Sequence, residues 1–407
     1  MSTAADVNVH LDDDYLREFA EPAGYLDFAR VGPVSDVVAR TLADGALALR
    51  TDPAGALARL QARTEATAAS AATLLRAAPH EVAFVTSTSH GLFAAAAALD
   101  GDGVVLVPRG EFPSNVHPWL RFQDRGGPRV RWIDEPSLTP ERLAGLLDRD
   151  VRALTISAVD ALTGYRAPLG AFKEVLGPDR LLIVDAMQGL GAVPLDVEAA
   201  DVLACGGQKW LRAGWGAALL LVRDRVADRL GPGLGGWSGR RDPFAAARRR
   251  PHTADGNATA GTPAGTTAGT ARRPSQEDEP LPGAVAHTMT NPDFLAVAAL
   301  GAGIDLLLSA GVESVGRTVT QTLGLLLDTV RAAGGDVLLD GLTPDERGGI
   351  GSFRLPGTDP AQVHAALAAA GLTTTVSDGW VRLSPHATTP HATAEPLASA
   401  LRAARDR

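Results

Sequence analysis

Only two of the 38 basic residues in this 407-residue chain are lysines, Lys173 and Lys209. Arginine holds the other cationic positions, and a guanidinium that stays protonated cannot serve as a nucleophilic amine. A lysine kept against such a composition is a candidate for chemistry that requires one; the ordinary alternative is a solvated surface charge. Lys209 has the more telling neighbours. It follows the apolar run Asp201-Val-Leu-Ala204 and a small-residue turn, Cys205-Gly-Gly-Gln208. Upstream, Leu181-Leu-Ile-Val-Asp185 is an apolar run ending in a carboxylate, and Gln188 comes shortly after it. An acid at one strand end and an amine at the next is the arrangement a pyridoxal 5′-phosphate site needs. The carboxylate keeps the pyridine nitrogen protonated so that the ring accepts electrons, and the amine holds the aldehyde carbon as an imine. Glycines 206, 207, 214 and 216 let backbone and ligand approach closely.

The pattern around these residues supplies a frame for them. Seven short apolar runs read as strands: Glu81–Val85, Gly103–Pro108, Arg129–Ile133, Ala153–Ser157, Leu181–Asp185, Asp201–Ala204 and Ala217–Val222. Helical stretches such as 140–149 and 169–176 separate several of them. Nearly continuous apolar strands alternating with helices predict a buried, mostly parallel seven-stranded sheet flanked by helices, an α/β fold. In such open sheets ligands sit outside the carboxyl ends of the strands. Residues 31–240 are read as this large domain and residues 1–30 as an N-terminal segment contributing to a smaller domain. Residues 241–284 carry Ala, Gly, Thr and Pro with no apolar period and are read as a low-complexity, disordered insertion. The pattern resumes with one long helix from Asn291 to about Ala333, strands at 336–340, 351–355 and 380–384, and a helix over 359–370. Residues 285–407 are therefore read as a small C-terminal α+β domain.

Composition narrows the function. A hydrophobic fraction of 45% can build a core, and a net charge of −9 argues against a general binder of nucleic acid or anionic membranes. The single cysteine, Cys205, excludes an intramolecular disulfide framework and a cysteine-rich metal site. The first residues are acidic with no apolar core, so no signal peptide is visible, and no run has membrane-spanning character. The expectation is a cytoplasmic protein with a small-molecule substrate, no metal, no nucleic acid and no membrane partner.

The motifs together resemble a known family. Asp185-Ala-Met-Gln188 followed by Gly206-Gly-Gln-Lys209-Trp-Leu looks like the fold-type I pyridoxal phosphate enzymes of aminotransferase class V. Cysteine desulfurases, selenocysteine lyases, isopenicillin N epimerase, kynureninase and hercynylcysteine sulfoxide lyases belong to that group. Tyr25–Pro33 resembles the family's entry segment, and Thr86-Ser-Thr-Ser-His-Gly91 resembles its phosphate-binding turn. Val381-Arg-Leu-Ser-Pro-His386 resembles the segment whose arginine grips a substrate carboxylate.

The resemblance implies roles. Lys209 forms the Schiff base and shuttles the Cα proton; Asp185 pairs with the pyridinium nitrogen, unless it is a strand-end cap. Gln188 bonds the ring 3′-oxygen, unless it is a surface polar residue. Thr88 and Ser89 bind the phosphate at a helix N-terminus, where a plain cap is the alternative. Gln208 stands where the family usually has histidine and Gly206 where many members have a phosphate-binding serine. Phe112 would stack on the ring, or be ordinary core. Thr290, in His287-Thr-Met-Thr290, resembles a residue that reaches a partner's phosphate, which implies a homodimer with shared sites. Arg382 would clamp the carboxylate, or serve a structural ion pair.

Among reactions, desulfuration needs a mobile thiolate, and Cys205 beside the lysine turn is expected to be buried. Ser89-His90, Thr163-Gly-Tyr-Arg166 and Arg382–His386 are shared locally with hercynylcysteine sulfoxide lyases. The reading is a β-eliminating C–S lyase, with an aminotransferase or epimerase as the alternative. A non-catalytic binding protein that kept the fold is the alternative of another class.

Overall fold

The computed structural model describes residues 11–135, 137–244 and 279–405. Its seven-stranded sheet contains β1 (Val82–Val85), β2 (Val104–Pro108), β3 (Arg129–Ile133), β4 (Val151–Ser157), β5 (Leu181–Asp185), β6 (Val202–Gly206) and β7 (Ala218–Val222). The spatial order is β1-β7-β6-β5-β4-β2-β3. Strands β2 to β6 run parallel to one another, and β7 is antiparallel to both β6 and β1. Side chains alternate across each strand. In β5, Leu182 and Val184 join the core on one face while Leu181 and Ile183 join the core on the other. Burial on both faces explains why these strands read as unbroken apolar runs. Asp185 continues the second alternation, on the face covered by the helix Thr88–Ala98.

A four-stranded antiparallel sheet forms the second layer, with β8 (Asp336–Val337), β9 (Gly351–Arg354), β10 (Thr375–Ser377) and β11 (Trp380–Leu383) in the order β10-β11-β9-β8. The chain near its N-terminus joins this layer. Leu26 donates its N–H to the Thr373 carbonyl at 3.0 Å, Ser384 donates to Leu26 at 2.9 Å, and the Leu26 side chain is buried in that core.

Two expectations need correction. The single helix from Asn291 to Ala333 is two, Phe294–Ala310 and Val312–Ala332, bent by 82°. Gly311 adopts φ +82° and ends the first by donating its N–H to the Leu307 and Leu308 carbonyls. The first helix packs into the large core and the second against the small sheet, through Leu323, Leu326, Leu327 and Val330. The strand expected over 336–340 is only Asp336–Val337, because Leu339 turns the chain away at φ +50°. Most of the expected insertion, residues 245–278, lies outside the described residues. Its flanks meet: Arg241 donates its N–H to Glu279 at 3.0 Å and Leu281 to Gly239 at 2.8 Å. Among the described residues no single helix is long and apolar enough to cross a membrane.

The N- and C-terminal segments converge beside β6. Arg212, a left-handed residue at φ +53°, is buried and ion-paired with buried Glu21. Its Nε donates to the Pro33 carbonyl at 2.6 Å, and its guanidinium lies 3.6 Å from the Phe19 ring centre. Glu21 also accepts from the Thr388 hydroxyl. Removing one member of a buried pair strands the other's charge. Arg212→Met should therefore lower unfolding stability by about 3–5 kcal/mol in urea titrations; a loss below about 1 kcal/mol would show that the pair adds little.

Candidate functional site

Parallel register brings the reactive groups together. Asp185 at the end of β5 pairs with Ser157 of β4 on one side and Ala204 of β6 on the other. The turn after β6 then carries Lys209 back over the strand ends. A cleft of about 160 Å³ lies there, lined by Ser87, Thr88, Ser89, Asp185, Gln188 and Lys209. Phe112, Ser114, Ser157, Ala161, Met187 and Gln208 complete its wall.

Backbone bonds fix the lysine turn. Gly32 donates its N–H to the Gln208 carbonyl at 2.9 Å, Arg212 to Lys209 at 3.0 Å, and Ala213 to Gly207 at 2.8 Å. A Cβ on Gly32 would collide with the Lys209 carbonyl oxygen, so the entry segment can lie there only as glycine. Removal from water, and then the nearby Arg382 charge, lower the Lys209 pKa to about 8; Asp185 opposes the shift. Asp185 is almost fully buried. Burial raises its pKa, while a 3.0 Å bond from the Met187 N–H and a 2.9 Å bond from the Ser114 hydroxyl pull it back. A buried carboxylate so placed favours a cationic ligand atom beside it.

The helix Thr88–Ala98 begins at the cleft wall. Ser87 caps it by accepting the His90 N–H at 3.1 Å, which leaves the remaining first-turn N–H groups as anion donors. Ser89 is exposed with its hydroxyl in the cleft wall, whereas Thr88 is buried. The Thr88 oxygen accepts the Gly206 N–H at 2.9 Å and its hydroxyl contacts the Met187 sulfur at 3.2 Å. Gln208 folds back over Gly206: a Cβ at position 206 would collide with the Gln208 Oε1. The amide thus fills the space that a serine at 206 would need.

The other expected residues fall as follows. Gln188 is buried in the cleft wall, where Oε1 accepts from the Trp210 indole at 2.9 Å and Nε2 donates to the Ala29 carbonyl at 3.0 Å. One amide hydrogen is left for a ligand. Phe112 is 53% exposed, which removes the ordinary-core alternative, and its ring centre lies 5.6 Å from the Lys209 Nζ. Arg382 sits behind Ala161, donating to that carbonyl at 2.9 Å and pairing with Asp27 at 3.4 Å. Its Nε is buried without a hydrogen-bond partner. Thr290 is exposed and lies outside the cleft. Lys173, the second lysine, is tied to buried Asp201 at 2.7 Å and to the Arg180 carbonyl at 2.9 Å. Cys205 is buried, and loss of hydration pushes its thiol pKa far up.

The sequence reading missed Ser87, Ser114, Ser157 and Met187. Ser157 could have been found, since it ends a predicted apolar strand as Asp185 does. Ser114 carries no such signal, because its contact with Asp185 depends on how a loop crosses the sheet.

The aminotransferase class-V family matches residues 52–271. An uncharacterized aminotransferase, YcbU, of Bacillus subtilis is 33% identical over 178 residues, 42% of this chain and 48% of that protein. The match therefore spans about half the length of that relative. A kynureninase of Deinococcus radiodurans is 28% identical over 75% of this chain and 68% of its own length. In fold, the chain matches the apo structure of a cysteine desulfurase from Thermococcus onnurineus with a TM-score of 0.78 at 16% identity, over 94% of this chain and 95% of that one.

The depressed Lys209 pKa has a direct consequence. Only the neutral amine attacks, so labelling of Lys209 by an amine-reactive reagent should rise to a half-maximum near pH 8 and level off above it. Peptide mass spectrometry resolves this site from Lys173. A rate still climbing above pH 9 would place Lys209 in ordinary solvent.

Proposed function

The chain belongs to the aminotransferase class-V family, which uses pyridoxal 5′-phosphate, and we propose that it is an enzyme breaking a β-carbon–sulfur bond of an amino acid by elimination. The cleft's donor set suits the cofactor from end to end: helix N–H groups and hydroxyls for a phosphate, a buried carboxylate for a protonated ring nitrogen, and an amine for the aldehyde. When bound, pyridoxal 5′-phosphate supplies an electron sink that lets a bond to the substrate Cα break.

Each residue then has a task. Lys209 would hold the cofactor's aldehyde and take the Cα proton of a bound substrate; its lowered pKa gives a larger neutral fraction near neutrality than a solvated lysine has. Asp185 would hold positive charge at the ring nitrogen. Gln188 would offer its free amide hydrogen to the ring 3′-oxygen, and Phe112 would cover the ring. Thr88, Ser89 and Gln208 would hold the phosphate, Gln208 in place of a residue at 206. Arg382, behind Ala161, would receive the substrate carboxylate through its unpartnered Nε and its weakly paired Nη2. We also propose a homodimer. Trp215, Trp237 and Met289 are large apolar side chains left 65%, 47% and 45% exposed, and exposed Thr290 is available to a partner's site.

The observation that carries elimination rather than persulfide-forming desulfuration is the state of Cys205. It is the one thiol in the chain, it is buried beneath the lysine turn, and its thiolate is disfavoured. A desulfurase must bring a thiolate to the substrate sulfur, which Cys205 cannot do from that position.

Cofactor-loaded protein offered cysteine S-conjugates should release pyruvate and ammonia with no added keto acid. Cys205→Ala should keep that turnover within about threefold of wild type, since the thiol takes no part. Conversion to the pyridoxamine form, reversed by a keto acid, would instead identify an aminotransferase. Complete loss of sulfur release in Cys205→Ala would identify a desulfurase.

A further inference from the structure

Glu111 does not line the cleft, yet it holds the loop that covers it. After β2, Gly110 turns at φ +88° and the chain crosses the strand ends as Glu111-Phe-Pro-Ser-Asn115. Three donors converge on the Glu111 carboxylate: the Ser157 N–H at 2.7 Å, the Ser157 hydroxyl, and the Asn115 amide at 3.0 Å. Asn115 is fully buried, and its own Oδ1 accepts from the Thr155 hydroxyl at 2.5 Å. One carboxylate thus stitches the loop to the last residues of β4. The same five residues carry Phe112, over Lys209, and Ser114, on Asp185.

We propose that Glu111 is a positioning residue that holds Phe112 and Ser114 against Lys209 and Asp185 and fixes the direction of the Ser157 hydroxyl. When ionised, Glu111 only accepts, so the Ser157 hydrogen points at it and Ser157 turns lone pairs to the cleft. When protonated, Glu111 gains a donor. Its O–H then bonds the Ser157 oxygen, and the Ser157 hydrogen is free to point into the cleft. The wall of the cleft beside Asp185 changes from acceptor to donor with one proton.

The surroundings put this change near neutrality. Loss of hydration, with a smaller push from the Asp185 charge, raises the Glu111 pKa to about 7 against the bonds from Asn115 and Ser157. The other charged or titratable groups facing it are Arg109, Glu135, Asp160 and Tyr165, around a cavity of about 30 Å³ behind the cleft. That space has room for one or two waters, a route by which Glu111 could exchange its proton without crossing the cleft.

The inference rests on the cofactor reading only in that Phe112 and Asp185 face the cofactor, so the test has two arms. In the first, the absorbance band of cofactor-loaded protein is titrated between pH 5.5 and 8.5. Wild type should show an inflection near pH 7 that is missing in Glu111→Gln, although both variants form the band. The same inflection in both would overturn the role of Glu111 while leaving the cofactor reading intact. A wild-type chain that forms no band fails the cofactor reading alone.

The second arm needs no cofactor. A carboxyl whose folded pKa lies above its unfolded value stabilises the fold below the unfolded pKa and loses that contribution as pH rises through the folded one. The unfolding midpoint of wild type relative to Glu111→Gln should therefore fall between pH 5 and 7 and stay level above. A pH-independent difference would overturn the proposal. Ser157→Ala, which removes only the hydroxyl partner, must also shift the spectral inflection; if Glu111→Gln does not fold, an unmoved inflection in Ser157→Ala decides against it.

Discussion

The structure is organised around keeping one amine out of water without letting it move. A lysine prefers hydration, and burying its ammonium without a dedicated counter-ion in contact costs free energy that the surrounding fold must offset. Here the amine sits at the end of β6, with the Asp185 charge near enough to oppose the shift and the Arg382 charge adding to it. The turn that carries it is bonded on both sides to the backbone, and the entry segment passes so close that only Gly32 fits. An amine that titrates near pH 8 instead of in the usual lysine range is the result of that arrangement.

Two distant parts of the chain meet to hold the turn. Glu21 and Pro33 from the N-terminal segment, and His386 and Thr388 from the C-terminal segment, gather around Arg212, three residues past the lysine. Phe28, Trp210 and His386 stack beneath, with Phe28 and His386 ring centres 4.9 Å apart. The small antiparallel sheet is thereby tied to the lysine turn through side chains rather than through the main sheet. Arg382, on β11 of that sheet, is tied to the Ala161 carbonyl and to Asp27 of the N-terminal segment.

Much of this was legible in the sequence because parallel strands buried on both faces leave a simple signature. Leu181–Asp185 has the predicted limits, its apolar run ending at the carboxylate that closes the strand. Lys209 stood out because the chain carries so few lysines. What was not legible depends on register and loop path. Ser114 reaches Asp185 and Glu111 reaches Ser157 across segments far apart in sequence, and no local pattern announces either bond. The break at Gly311 was hidden because apolar residues continue across it, so periodicity alone ran the two helices together. Gly206 and Gln208 each looked like a loss against the family's pattern. In space they form one substitution, an amide occupying the room a side chain would have taken.

The central claim is that Lys209, and not another amine, carries the cofactor. The most direct measurement is to load the full chain with pyridoxal 5′-phosphate, reduce it with borohydride, digest it and locate the pyridoxyl group by mass spectrometry. The account predicts a single adduct on the peptide containing Lys209, with Lys173 unlabelled because it is held on Asp201. An adduct on Lys173, or the absence of any stable adduct, would contradict it.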